Sequence, residues 1–88
     1  MSGNVKVFNL KTMNINDFIA HFAEQFDFTD LDEFKPETVF RDLDEWSSLM
    51  ALSIIAMVDE EYEVTLQGDD MKSAVTIGDL FNVVQSKL

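Results

Sequence analysis

The sequence predicts a small all-α protein with three substantial helices, one short helix and a long first loop. Two segments place apolar residues at helical spacing, and a third is apolar on nearly all sides for almost three turns. The 88 residues suffice for one compact domain but not for two. A hydrophobic content of 47%, with eight Phe, indicates a folded chain and not a disordered one.

The first helix is predicted to begin near Asn16, a good N-cap residue, and Asp17 places negative charge at the positive end of the helix. Its apolar stripe consists of Phe18, Ile19, Phe22 and Phe26, with Ala23 beside them. His21 lies on the other face, where we expect it to be solvated. A metal-ligand role is not favoured, because the chain has no second His and no Cys.

Helical periodicity is lost over residues 27–46, an acidic stretch that holds the only proline, Pro36. A loop of this length is uncommon in a compact domain unless it is functional or fixed by packing. Six apolar side chains are expected to fix it against the core: Phe28, Leu31, Phe34, Val39, Phe40 and Leu43.

The second helix is predicted from Ser48 to Tyr62. Only one residue in ten is polar between Leu49 and Val58, whereas a surface helix normally keeps one face polar. This helix must therefore be covered by neighbouring helices, or part of it must face a ligand or a partner.

The last part of the chain is predicted to contain a brief extended stretch at 63–66, a turn at Gly68 and one short helical turn at 69–73. Thr76 then caps the final helix, with Asp79 at the third helical position as a shorter form of the capping box. The apolar face of that helix comprises Ile77, Leu80, Phe81, Val84 and Leu88.

The charge of the chain restricts its partners. Its net charge of −11 disfavours nucleic acid and anionic membrane surfaces and favours partners with basic patches, although acidity could also serve solubility alone. No stretch approaches the roughly 20 apolar residues that span a bilayer, and no signal peptide is recognisable. We therefore expect a cytoplasmic protein without membrane insertion.

Catalytic chemistry is poorly supported by the composition. The chain has one His, no Cys and no Gly-rich phosphate loop, so any thiol chemistry must come with a cofactor. Calcium-binding loops that start at Asp30 or Asp42 fail, because Phe34 or Trp46 occupies the fifth position. We therefore expect a protein that is not an enzyme.

The junction between the long loop and the apolar helix reads Trp46-Ser47-Ser48-Leu49. Ser47 fits the helix N-cap. The hydroxyl of Ser48 would then lie at the first helical position, in solvent, beside unpaired backbone N–H groups. A phosphodiester attached there would meet the positive end of the helix dipole, although a serine at such a place is usually only a cap.

Several short motifs surround this junction in a specific order. Phe40-x-x-Leu43 leads into the serines, and the helix closes on the sequence Asp-Glu-Glu-Tyr at 59–62. Pro-Glu-Thr at 36–38 and Thr-Ile-Gly-Asp-Leu at 76–80 flank them. Together these motifs resemble the acyl carrier protein family, in which a Phe-x-x-Leu loop leads into Asp-Ser-Leu. The resemblance covers residues 13–88 and leaves 1–12 as a leader or extension of unknown role.

The resemblance implies a right-handed four-helix bundle with a short third helix. Ser48 matches the serine that receives 4′-phosphopantetheine from coenzyme A through a separate phosphopantetheinyl transferase. The thiol of that arm would carry acyl groups as thioesters in fatty-acid, lipid or secondary-metabolite biosynthesis. Partners would be acyl-activating enzymes, acyltransferases or synthases with basic or apolar docking surfaces. We expect a monomer, since a small carrier of this kind must present Ser48 to many enzymes in turn. Positions that would contact partners or the acyl group are Trp46, Ser47, Leu49, Leu52, Ile54 and Val58.

Two departures from the family pattern qualify this reading. Ser47 replaces an aspartate that helps to hold the metal in the complex with the transferase, so Asp44 or Glu45 would have to compensate. Met50 and Ser53 replace acidic docking residues, which favours a more apolar partner surface. Two alternatives remain open at this point: an interaction module that kept the fold without modification, and an aminoacyl or peptidyl carrier.

Overall fold

A computed structural model describes residues 14–88, which form four α-helices and two short 3₁₀ turns. The helices are α1 (Ile15–Ala23), α2 (Ser48–Tyr62), α3 (Gly68–Ser73) and α4 (Ile77–Ser86), and the 3₁₀ turns are Leu31–Glu33 and Phe40–Asp42. No strand forms in this part of the chain, where a single antiparallel bridge joins Val39 to Thr76. The prediction of a small all-α bundle with a long first loop and a short third helix is confirmed. The proposed extension at 1–12 lies outside the described residues.

The core is built around the ring of Phe22 on α1. Five other aromatic rings have their centroids 5.5 to 6.4 Å from it, in tilted, edge-on or stacked arrangements. They belong to Phe18, Phe26, Phe34, Phe40 and Trp46. Truncating one such buried ring typically costs about 3–5 kcal/mol, so this cluster joins α1, the first loop and the approach to α2.

Helix α1 begins two residues earlier than expected. Its N-cap is Asn14, whose side chain accepts a hydrogen bond of 2.7 Å from the backbone N–H of Asn16. Both asparagines are good caps, but the earlier start brings Ile15 into the helix, where it packs against the core. His21 is half-buried and not solvated as expected, because its ring packs edge-on against Tyr62 with the centroids 5.8 Å apart.

The first loop is fixed by only part of the set of side chains that was expected. Phe34, Phe40 and Leu43 are buried, whereas the expectation is wrong for Phe28, Leu31 and Val39, which are exposed. An aperiodic segment gives no repeating face from which burial can be read, so the folded environment decides which side chains are covered.

Backbone hydrogen bonds tie the later part of this loop to the start of α4. The N–H of Ile77 donates to the carbonyl of Thr38 at 3.0 Å, and the N–H of Gly78 donates to the carbonyl of Pro36 at 2.8 Å. A Cβ at position 78 would lie 3.0 Å from that carbonyl oxygen, so the close approach favours glycine.

Helix α2 has the predicted bounds, and Glu63 ends it in the left-handed conformation with φ 56°. The expected extended stretch at 63–66 is therefore wrong at its first residue. The capping box of α4 is confirmed, but Leu88 lies exposed beyond the helix and does not extend its apolar face. Within residues 14–88, every helix is too short or too polar to cross a membrane.

Candidate functional site

The beginning of α2 separates its two serines into different roles. Ser47 has an extended backbone, with φ −160° and ψ 172°, and its Oγ accepts a hydrogen bond of 3.1 Å from the N–H of Met50. Ser48 is the first helical residue and is exposed. Its hydroxyl makes no hydrogen bond to any other residue of 14–88. The predicted cap is confirmed, and the neighbouring hydroxyl is left facing solvent.

The other serines of the described chain are less suited to modification. Ser53 is half-buried in the middle of α2. Ser73 donates its hydroxyl to the carbonyl of Asp70 at 3.2 Å, and Ser86 donates to the carbonyl of Val83 at 2.7 Å. Each of these serines lies away from a helix N-terminus.

The first turn of α2 also differs in charge from the first turns of the other helices. At the third helical position, α1, α3 and α4 carry Asp17, Asp70 and Asp79, whereas α2 carries Met50 and has no acidic residue in its first turn. The positive end of the α2 dipole is therefore not neutralised by a side chain from its own first turn. Such an end is suited to a phosphate group.

An open groove of about 420 Å³ lies beside Ser48, between the first half of α2 and α3. Its lining is mainly apolar and includes Trp46, Ala51, Leu52, Ile55 and Met71. Arg41 and Lys72 also line it. A flexible chain attached to Ser48 could lie along these apolar walls.

Arg41 holds the α3 side of the groove in place. Its guanidinium donates to the carbonyls of Met71 and Ala74, at 2.8 and 2.6 Å, and lies 5.0 Å from the centroid of the Phe40 ring. A six-residue helix is too short to be stable alone, so these bonds satisfy carbonyls at its C-terminal end from outside. Lys72, which belongs to α3, is exposed.

Glu45 connects the segment before Ser48 to the distant turn at 27–29. Its carboxylate accepts hydrogen bonds from the N–H of Phe28 at 2.9 Å, the N–H of Asp27 at 3.2 Å and the hydroxyl of Thr29. The hydroxyl of Thr29, followed by these backbone groups, lowers the pKa of Glu45 from its usual value. Of the two carboxylates that could compensate for Ser47, Glu45 is thus engaged with the loop, whereas Asp44 is exposed.

The structure distributes the predicted contact positions over three environments. Trp46 is half-buried against Phe40 and lines the groove, while Leu49 and Leu52 are 74% and 61% exposed. Ile54 and Val58 are fully buried in the core, where a docking partner does not reach them. Contact of these two residues with an acyl group inside the bundle remains a proposal.

Sequence reasoning missed several residues of the groove. Ala51 and Ile55 lie three and seven positions after Ser48, on the same face of α2, so helical spacing could have identified them. Arg41 and Met71 gave no such signal, because their approach to Ser48 depends on how α3 packs against the loop.

The comparison with protein families decides the class of the chain. Residues 16–84 match the family described as phosphopantetheine attachment site. The chain belongs to this family. Its members are carriers, not enzymes, and hold a 4′-phosphopantetheine group covalently on a serine. No curated protein and no solved structure gave a significant match to the chain.

The site at the start of α2 fits the prosthetic group of this carrier family. The exposed hydroxyl of Ser48 is suited to a phosphodiester, the positive end of α2 is suited to its phosphate, and the apolar groove is suited to the chain that follows. When bound, the group supplies a thiol, which the chain lacks because it has no cysteine. Within residues 14–88, no cluster of His, Cys, Asp and Glu could hold a metal ion.

Proposed function

We propose that Ser48 receives the 4′-phosphopantetheine arm of this carrier and that acyl groups are carried on the arm as thioesters. The observation that supports Ser48 is the state of its hydroxyl. Among the serines of 14–88, only Ser48 combines an exposed side chain, no hydrogen bond and a place in the first turn of a helix.

The modification requires a transferase and coenzyme A. The Ser48 oxygen forms a bond to the phosphorus that bears pantetheine, the bond to the second phosphate of coenzyme A breaks, and adenosine 3′,5′-bisphosphate leaves. The hydroxyl proton is lost in the same exchange. The N–H groups of Ser48 and Leu49 make no hydrogen bond within the described residues and would be available to the phosphate.

Acyl cargo is supported by the apolar lining of the groove, since an acyl chain can be covered there and a charged aminoacyl group gains less. The exposed Leu49 and Leu52 favour partners with an apolar docking surface. We propose acyl-activating enzymes, acyltransferases or synthases of fatty-acid, lipid or secondary-metabolite biosynthesis as these partners.

Intact mass spectrometry after incubation with coenzyme A, magnesium and a broad-specificity phosphopantetheinyl transferase tests the assignment. We expect one phosphopantetheine on the wild type and on Ser47→Ala, and none on Ser48→Ala. Ser53→Ala is the matched control and should be modified like the wild type. Addition to Ser48→Ala would place the arm on another serine, and no addition with several active transferases would favour an unmodified interaction module.

A further inference from the structure

The first loop exposes two large apolar side chains near its beginning. Phe28 is 88% exposed and Leu31 is 77% exposed, more than any other large hydrophobic residue of the described chain. Fully burying a side chain of this type contributes about 1.5–3 kcal/mol, which the isolated fold does not gain here. Phe34, a few residues later, is buried, so the loop can cover an aromatic ring but leaves these two side chains in water.

The exposure of Phe28 belongs to a backbone conformation that is held in place. The carboxylate of Glu45 accepts the N–H groups of Asp27 and Phe28 and the hydroxyl of Thr29. Three hydrogen bonds to one charged group fix the turn. The ring of Phe28 is therefore presented to solvent from a defined position.

This position is close to Ser48. Glu45 directly contacts the backbone of Phe28 and precedes Ser48 by three residues, a stretch of at most ~11 Å when fully extended. A standard protein interface covers about 800 Å² of each partner, on the order of 30 Å across. A protein bound over Ser48 can therefore reach Phe28 within such an area.

The charges around the two side chains indicate the chemistry of the partner. Residues 27–34 contain four carboxylates and no Lys or Arg. All four carboxylates are exposed; they belong to Asp27, Asp30, Asp32 and Glu33. An apolar surface with this border is complementary to an apolar pocket surrounded by basic side chains and is repelled by an anionic membrane.

We infer that Phe28 and Leu31 form an apolar docking element for the phosphopantetheinyl transferase that modifies Ser48. This inference rests on the proposed function. The transferase must bring its own active site to the Ser48 hydroxyl, so its contact area has to include the surroundings of that residue. Enzymes that act on the cargo react with the thiol at the end of the arm, so they do not have to reach the Ser48 hydroxyl itself. Glu45 is a positioning residue, because it acts through the backbone of the turn.

Steady-state kinetics of phosphopantetheinylation, with the full chain and a broad-specificity transferase, test this role. The double variant Phe28→Ser/Leu31→Ser should raise the KM for the carrier about tenfold and leave kcat nearly unchanged, because docking is lost and chemistry at Ser48 is retained. Leu88→Ser, which removes another exposed leucine at the end of the chain, is the matched control and should keep the wild-type KM.

A second variant tests the same surface without changing its apolar side chains. Glu45→Ala should raise the KM and accelerate hydrogen exchange at the amides of Asp27 and Phe28, whereas the hydrogen exchange of α4 amides should not change. A wild-type KM in both the double variant and Glu45→Ala would overturn the inference while leaving modification of Ser48 intact. An unmodified wild type would instead contradict the proposed function. Binding of the wild type, but not the double variant, to phosphatidylcholine vesicles with an unchanged KM would show a lipid-binding element and also overturn the inference.

Discussion

The N-termini of α2 and α4 both have a hydroxyl cap, but only α4 has a carboxylate in its first turn. At α4, Thr76 accepts the N–H of Asp79 at 3.0 Å, and the Asp79 carboxylate accepts the N–H groups of Thr76 and Val75 at 3.0 and 3.1 Å. At α2, the Ser47 hydroxyl accepts one N–H, and the residue that corresponds to Asp79 is Met50.

The difference separates a structural helix end from one that is suited to a ligand. The first N–H groups of α4 are satisfied by the carbonyls of Thr38 and Pro36 and by the hydroxyl of Thr76. The Asp79 carboxylate lies at the positive end of the helix dipole, and both features stabilise the fold. Helix α2 lacks the corresponding carboxylate at the end where Ser48 is exposed. The fold thereby forgoes some stability at α2, and a phosphate attached to Ser48 would supply the missing negative charge.

The largest expected difference between the two ends is the effect of losing a hydroxyl. Thr76→Ala should lower the free energy of unfolding by about 1–2 kcal/mol, because it removes a cap whose hydrogen bond the helix needs. Ser48→Ala should change it by less than about 0.5 kcal/mol, since its hydroxyl bonds to no described residue. Urea unfolding of both variants measures the contrast, and equal losses would show that Ser48 is structural.

A smaller expected difference between the two helix ends is the pH dependence of the stability that Asp79 contributes at α4. Hydrogen bonds from the backbone N–H groups of Thr76 and Val75 lower the pKa of Asp79 from its ordinary value of 3.8. Because the pKa is lower in the folded than in the unfolded chain, the carboxylate stabilises the fold above the unfolded pKa, and this stability is lost as the pH falls through the folded pKa.

Asp79→Asn tests this acid dependence. The variant should be less stable than the wild type near neutral pH, and the difference between their urea midpoints should shrink at about pH 3. Glu45, whose pKa is also lowered, is present in both proteins and does not contribute to the comparison. A difference that is constant with pH would mean that the charge of Asp79 is unimportant.

The smallest expected effect comes from giving α2 the carboxylate that it lacks. Met50→Glu creates a capping box with Ser47, which stabilises the helix, but it also removes the packing of the half-buried Met50 side chain. The two effects should nearly cancel, so the free energy of unfolding should stay within about 0.5–1 kcal/mol of the wild-type value. After modification of Ser48, the Met50→Glu variant should be less stable than the modified wild type, because the phosphate and the new carboxylate place two negative charges at one helix end.

Met50→Gln is the control, since it can form the same capping box without a charge. Thermal unfolding of the unmodified and modified forms of both variants measures the effect of the charge. If modification shifts the melting temperatures of the Glu and Gln variants equally, the phosphate does not interact electrostatically with a charge at position 50.

The sequence predicts the helices better than it predicts the loop between them. The start of α2 and the cap of α4 follow from Ser47 and Thr76, because a capping side chain bonds within its own first turn. The predicted start of α1 is wrong because Asn14 and Asn16 are equally good caps, and the packing of Ile15 favours the earlier one. Local chemistry is readable where the interacting groups are neighbours in the chain.

The candidate site likewise combines features that depend on neighbouring residues with features that depend on distant segments. The exposed Ser48 could be predicted, since it depends on one helix end. The groove beside it could not, because Arg41 and Met71 come from segments 30 residues apart. The exposure of Phe28 was also unpredictable from the sequence, since it depends on Glu45, which follows it by 17 residues.

The way in which Arg41 holds α3 has a consequence for how this fold can diversify. The guanidinium binds the carbonyls of Met71 and Ala74, and every residue type has a backbone carbonyl. Side chains on α3 can therefore be exchanged without losing the bonds that set the position of the helix. The lining of the groove can therefore change at Met71 or Lys72 while its frame stays in place. A lysine at position 41 would forfeit this freedom, because a single ammonium group does not reproduce the two-pronged geometry of the guanidinium.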